Sequence, residues 1–254
     1  MKKIILAGCL GAMGRSVSEL ARKRDDCEIV AGIDVATPEH PETLDYPVFT
    51  SFDKCGAEAD VIVDFSHNSL LEPLLAFAGE HKMPAVLCTT GYSDAQLEMI
   101  DKASETLPIF RSGNMSLGIN LLISLAKKAA EVLNATFDIE ITERHHNQKL
   151  DAPSGTALMI ADAISGTLGT SPSYEYDRHS RRMKRPHNEI GLHSVRGGTI
   201  VGEHEVLFAG PGEELIITHR AESKGILAAG ALSAAVFMCG KPAGMYDMDS
   251  LLQQ

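Results

Sequence analysis

The turn that closes the first apolar run constrains this chain more than any other feature. Lys2 and Lys3 lead into Ile4-Ile5-Leu6-Ala7, and Gly8-Cys9-Leu10-Gly11-Ala12-Met13-Gly14 follows at once. Met13, Val17 and Leu20 then recur at helical spacing, so a helix is expected from about Ala12 to Lys23. A buried strand that turns through spaced glycines into an amphipathic helix opens a βαβ unit. The spacing is GxxGxxG, because Leu10 holds the middle position of the commoner GxGxxG. Gly8 allows the tight turn, Gly11 lets backbone approach a pyrophosphate, and Gly14 lets helix pack closely on strand. An ordinary βα turn uses glycines too, but this placement favours a dinucleotide.

Asp34 ends the second expected strand, Glu28–Ile33, about 20 residues after Gly14, where an acid accepts hydrogen bonds from ribose hydroxyls. Val35, Ala36 and Thr37 follow it, none basic. A 2′-phosphate would meet a carboxylate without a neighbouring cation, so the sequence favours NADH over NADPH.

The alternation continues to about residue 110. Strands are expected at Val61–Phe65, Ala85–Cys88 and Pro108–Phe110, with helices at Ser69–His81 and Asp94–Ser104. Repeated βα units imply a Rossmann-like, doubly wound parallel sheet with right-handed crossovers. The pattern then changes. Leu117–Leu133 reads as a long helix. Thr136–Thr142 alternates apolar and polar residues, as a half-buried strand of an antiparallel or mixed sheet does. Gly155–Ser165 looks helical, residues 169–190 are polar and turn-rich, and Thr199–Phe208 and Glu214–Thr218 read as strands around Gly210-Pro211-Gly212. Gly225–Cys239 is a small-residue helix that returns to the first domain. The expected organisation is a dinucleotide-binding domain of residues 1–115 and 225–254, and an α+β substrate-binding and oligomerisation domain of residues 116–224.

Charge narrows the partners. Lys+Arg 23 against Asp+Glu 34 leaves a formal charge of −11, which disfavours bulk binding to nucleic acid or anionic lipid. No apolar run is long enough for a membrane-spanning helix, and the N-terminal run is too short for a secretion signal. Five cysteines (Cys9, Cys27, Cys55, Cys88, Cys239) are scattered with no CxxC, as expected of free thiols in a reducing cytoplasm. Arg178, Arg181, Arg182, Lys184 and Arg185 cluster in one segment. Without interleaved aromatics in so acidic a chain, they read as a solvated loop rather than a nucleic-acid patch.

An anionic ligand therefore needs a local positive site, and the run Glu143-Arg144-His145-His146-Asn147-Gln148-Lys149-Leu150-Asp151-Ala152-Pro153-Ser154-Gly155-Thr156 provides one. Adjacent residues of an extended strand point to opposite faces, so His145 and His146 are expected to divide proton transfer and binding between them. Lys149 adds a cation and a donor. Pro153 and Ser154 look like helix-entry residues, with Gly155 and Thr156 at a helix N-terminus suited to a carboxylate. Metal ligation is disfavoured, because adjacent histidines lack the i,i+4 spacing of helical ligands. Ser154 lacks the GxSxG setting of a hydrolase nucleophile.

This segment resembles dihydrodipicolinate reductases, whose signature E-x-H-H-x-x-K-x-D-A-P-S-G-T-A matches Glu143 to Ala157 throughout. The likeness extends over essentially the whole chain, through Gly8–Arg15, Asp64-Phe65-Ser66, Thr89-Thr90-Gly91, Asn114–Asn120, Thr218–Leu232 and Gly244–Met248. It implies NAD(P)H-dependent reduction of a cyclic dicarboxylate on the diaminopimelate route to lysine. By position, it implies His145 as proton donor and Lys149 as second acid and carboxylate contact. His146, Ser154, Gly155 and Thr156 would bind substrate. Gly8, Gly11, Ala12, Met13 and Asp34 would hold the dinucleotide, with Cys88, Thr89, Thr90, Ser112, Gly113, Asn114 and Met115 bordering the nicotinamide. It further implies a homotetramer built through the second domain's sheet, and closure of one domain on the other during turnover. Cys88, Ser112-Gly113 and Lys224 depart from the usual family residues. The competing readings are a different Rossmann oxidoreductase for a small amino or keto acid, and a non-catalytic NAD(H) sensor.

Overall fold

The structure is a computed structural model that describes residues 1–38 and 43–253. Its chain forms two compact units, Met1–Leu117 with Gly225–Gln254, and Gly118–Lys224.

The first unit is built on seven parallel strands: β1 (Lys2–Ala7), β2 (Cys27–Ile33), β3 (Val48–Phe49), β4 (Val61–Asp64), β5 (Ala85–Leu87), β6 (Pro108–Arg111) and β12 (Gly244–Tyr246). Their order is β12-β6-β5-β4-β1-β2-β3. It is the 3-2-1-4-5-6 order of a doubly wound nucleotide-binding sheet with one strand added at the β6 edge. Both faces are covered, so the central strands are apolar runs rather than alternating ones. Ile4 and Leu6 of β1 pack with α1 (Ala12–Ala21) and α6 (Gly225–Met238), while Ile5 and Ala7 pack with α2 (Leu71–His81) and α3 (Asp94–Ser104). The expected strands and helices of this unit are present with ends shifted by a residue or two. β3 and β12 are additions, each too short to carry a period in sequence.

The second unit carries a five-stranded mixed sheet, ordered β11-β10-β7-β9-β8. β7 (Asp138–His145), β10 (Gly202–Gly210) and β11 (Glu213–Ala221) are antiparallel, whereas β9 (Glu189–Arg196) and β8 (Ser173–Glu175) run parallel. Residues of β7 are alternately half-buried and buried, and Ile139 and Ile141 pack with α4 (Leu117–Leu133) and α5 (Gly155–Leu168). β7 reaches beyond the Thr142 expected from its apolar alternation, because β9 pairs with it as far as His145. The two buried residues it gains are Glu143 and His145.

The basic segment differs from expectation. Arg178, Arg181 and Arg185 are not simply solvated: they bind acids of the sheet. Arg178 Nη2 donates to Glu140 Oε1 at 2.6 Å, and Arg181 Nη2 to Glu189 Oε2 at 2.7 Å. Arg185 donates to Asp138, Glu140 and the carbonyls of Ile139 and Glu189 at 2.6–3.0 Å. Arg182 and Lys184 are exposed. The arginines offset clustered carboxylates, and Glu189, although buried, stays below its usual pKa range: burial raises it, and Arg178 and Arg181 more than compensate. Removing one partner of such a largely buried pair is costly. Arg185→Met should therefore destabilise the protein by roughly 2–4 kcal/mol. A lower urea midpoint for the variant checks this.

Candidate active site

The glycine turn forms one wall of a cleft of about 980 Å³. Segments following three adjacent strands line it: Gly8–Gly11 after β1, Asp34–Pro38 after β2 and Phe65–Ser66 after β4. This is the switch point of the sheet, where the strand order reverses and open α/β sheets take their ligands. Gly8 has φ +74°, and a Cβ there would overlap the Phe65 carbonyl. A Cβ on Gly14 would overlap Gly8 O and Cys9 Cα, so only glycine lets α1 start this close to β1. Gly11 caps α1 with no side chain, which leaves the first-turn N–H groups of Ala12 and Met13 suited to an anion. Asp34 is tied into the loops, accepting from Leu10 N at 2.9 Å and Ala36 N at 3.1 Å. Arg15, distant from Asp34 in sequence, also lines the cleft. Its Nε donates to Leu10 O at 2.9 Å and its side chain is exposed. A cradle of glycines, open helix-start donors and an anchored acid fit a dinucleotide.

The other residues expected near a nicotinamide sit in two turns of the same unit. Ser112 Oγ donates to Asn114 O at 2.8 Å, Gly113 is exposed, and Met115 is buried. Thr90 is exposed, while Thr89 Oγ1 is buried beside Asp64 and Tyr92. Cys88 lies in the core with its thiol pushed up by burial and by Asp64, so only its backbone can face a ligand. The sequence assigned no role to Asp64 itself. It is buried at the end of β4 and accepts from Ser66 N at 3.0 Å.

The second constellation lies in the other unit. Glu143 and His145 share the inner face of β7, and His145 Nδ1 lies 2.6 Å from Glu143 Oε2. Arg196 of β9 grips the same carboxylate with two nitrogens, at 2.8 and 2.7 Å, and Ser154 N donates to it at 3.1 Å. Burial raises the Glu143 pKa, but bonds from Arg196 and His145 win and hold it down at about 2. His204, on β10 directly opposite Glu143, is buried. Its ring meets His145 edge-on at 5.2 Å, and its Nε2 lies 3.1 Å from Ser154 Oγ. Burial, reinforced by His145, pushes His204 down to about 4.

The positive segment closes this cluster. Lys149 N bonds His146 O at 3.2 Å in a tight turn beyond β7, which brings Lys149 close enough to depress His204. Lys149 Nζ pairs with Asp151 at 2.9 Å, and the Gly155 N–H also bonds that carboxylate. The donors expected to take an external carboxylate thus hold an internal one. Ser154 is buried, with its hydroxyl committed to Ala157 N at 3.2 Å and to His204, so it caps α5 from beneath. His146, beyond the strand end, is partly exposed. Sequence reasoning assigned no role to Glu143, Arg196 or His204. Spacing along the chain carries no sign of their meeting, because the β7–β9 and β7–β10 pairings create it. Among the described residues, no group of three or more His, Cys, Asp or Glu is placed to hold a metal ion.

A switch-point cleft in one unit and a buried histidine–carboxylate cluster in another define a nucleotide-dependent oxidoreductase of the two-unit kind. The family models for the N-terminus and C-terminus of dihydrodipicolinate reductase match residues 2–115 and 118–252. The 4-hydroxy-tetrahydrodipicolinate reductase of Caldanaerobacter subterraneus is 49% identical over 254 residues, covering 100% of this chain and 99% of that one. The enzyme of that name from Clostridium tetani is also 49% identical, covering 99% and 97%. The chain belongs to the dihydrodipicolinate reductase family. A dihydrodipicolinate reductase from Paenisporosarcina sp. TG-14, solved with dipicolinate bound, shares the fold at TM-score 0.80 and 23% identity over 97% of both chains. A probable dehydrogenase from Thermotoga maritima does so at TM-score 0.62 and 12% identity, over 99% of this chain and 92% of that one.

A histidine buried neutral binds fewer protons than it does in the unfolded chain at mildly acid pH. His204, at about 4 in the fold against an ordinary 6.5, therefore adds stability above pH 6.5 that is lost as pH falls towards 4. Melting temperature should fall across that window. His204→Asn should lower the plateau above it and flatten this part of the slope, as melting curves at stepped pH would show.

Proposed function

We propose that the chain is a 4-hydroxy-tetrahydrodipicolinate reductase: it catalyses NAD(P)H-dependent reduction of the dihydrodipicolinate ring to tetrahydrodipicolinate in the diaminopimelate route to lysine. The observation that carries this reading is His145, buried against Glu143 within a chain that matches relatives of that name over its full length. When bound, the cofactor supplies the hydride. His145 gives the proton to the ring, and Lys149 stabilises developing charge and contacts a carboxylate. His146, Gly155 and Thr156 bind the dicarboxylate, with Ser154 holding the helix start beneath them. A substrate carboxylate competes with Asp151 for Lys149 and the Gly155 N–H.

Gly8, Gly11, Ala12, Met13 and Asp34 hold the dinucleotide, and Cys88, Thr89, Thr90 and Ser112–Met115 border the nicotinamide. NADH is the preferred cofactor, because Asp34 suits free ribose hydroxyls. Arg15, which lines the same cleft as Arg22, is a cation that a 2′-phosphate would use. The protein is cytoplasmic and a homotetramer. Exposed Val195 and Ile216 on the mixed sheet support assembly through that face. Arginines already paired with acids support a chain that binds neither nucleic acid nor membrane.

Absorbance at 340 nm, followed with NADH and then NADPH on freshly made product of dihydrodipicolinate synthase, tests the reading. Rapid substrate-dependent oxidation supports it, and none from folded, dinucleotide-binding protein favours the sensor. His145→Ala should keep cofactor affinity and lose roughly 10²- to 10⁴-fold in kcat, and wild-type turnover from it removes His145 from the mechanism. Arg15→Ala should lower kcat/KM for NADPH several-fold more than for NADH. Equal losses with both cofactors would show that Arg15 does not read the 2′-phosphate.

A further inference from the structure

Glu143 has no exposed surface, and four residues hydrogen-bond its side chain: Ser154, Arg196, His145 and Ser194. Oε1 accepts from Ser154 N at 3.1 Å and Arg196 Nη2 at 2.7 Å. Oε2 accepts from Arg196 Nη1 at 2.8 Å and faces His145 Nδ1 at 2.6 Å. A carboxylate gripped by a guanidinium fork is ionised and can only accept. The ring nitrogen facing it must therefore carry hydrogen. We propose that Glu143 is a positioning residue for the reduction: held by Arg196, it fixes neutral His145 as the Nδ1–H tautomer and makes Nε2 the atom that gives and regains the proton.

The surroundings fit that assignment. A Cβ on Gly202 would stand 3.1 Å from His145 Nε2, so glycine there keeps this edge of the ring uncrowded. His204 packs against the ring and is anchored through Ser154 rather than through His145. When the imidazolium, carrying hydrogen on both nitrogens, gives its Nε2 proton to the substrate ring, the neutral imidazole left behind still donates Nδ1–H to Glu143. The same bond serves before and after transfer, and a hydronium proton from solvent restores Nε2–H. This inference rests on His145 as the proton donor.

A glutamine at this position would invert the arrangement. Its single amide oxygen would satisfy two fixed donors, Ser154 N and Arg196 Nη2. Its NH₂ would turn to the side of His145, whose only way to accept at Nδ1 is to move its hydrogen to Nε2.

The test is a long-range ¹H–¹⁵N spectrum of the ¹⁵N-histidine-labelled, full-length protein, with the His145 ring assigned by its loss in His145→Gln. Wild type should show neutral His145 as Nδ1–H, and Glu143→Gln should show it as Nε2–H. Glu143→Gln should lose roughly 10²- to 10⁴-fold in kcat, with dipicolinate and NADH affinities changed only a few-fold. Glu143→Asp should restore Nδ1–H and part of the turnover. An Nε2–H ring in wild type overturns the proposal, even if neither variant folds. So does a Glu143→Gln enzyme that keeps Nδ1–H or wild-type turnover. Full turnover from His145→Gln would instead sink the proton-donor reading, while the wild-type spectrum still decides the tautomer.

Discussion

A carboxylate with no access to water must be satisfied wholly by protein, and Glu143 is satisfied by pieces that sequence keeps far apart. Arg196 comes from β9, Ser154 from the start of α5, and His145 from two residues along β7. The site is assembled because this one charge cannot be left unpaired in the interior. The ends of β7 and β9 and the entry to α5 must arrive together, and the loop between His145 and Ser154, which carries Lys149, is held at both ends. Gly197 N bonds His145 O at 2.9 Å and Asn147 N bonds Gly198 O at 3.2 Å, which fixes the chain beyond β9 to the same spot.

The nucleotide cleft is held by a different logic. Its shape is set by backbone and by what is missing, since an added methyl at Gly8 or Gly14 would meet main chain that cannot yield. A backbone site of this kind suits a ligand recognised through its phosphates and sugars. A side-chain site suits a step in which one proton has to leave from one particular atom.

That difference decides how much was legible in the sequence. The cleft could be read from Gly8, Gly11, Gly14 and Asp34, because local spacing specifies a turn and the strand order follows from handed crossovers. The basic face of the second site was legible for the same reason: His145, His146, Lys149 and the α5 entry lie within one short stretch. Arg196 and His204 were not, because their roles exist only in the register of β7 with β9 and β10. β9 itself was hidden, since Glu189–Arg196 follows a polar stretch and its charged ends bind other side chains rather than solvent. The arginines before it looked solvated because sequence shows their charges but not the acids on β7 facing them. Glu143 stood in the recognised motif, yet its spacing could not say that it points inward.

Two buried histidines in edge-to-face contact would repel if both carried charge. The structure divides them by their partners: His145 is offered an ionised carboxylate, whereas His204 is offered the neutral hydroxyl of Ser154. Burial and the neighbouring positive groups hold the His204 pKa down at about 4. Neutral above that, it packs against the His145 ring and braces the α5 cap. Ser154 joins the two arrangements, with its N–H on Glu143 and its hydroxyl on His204. The residue that starts the helix therefore also ties the carboxylate that faces His145 to the ring of His204, and this couples the entry to α5 to the orientation of the His145 ring.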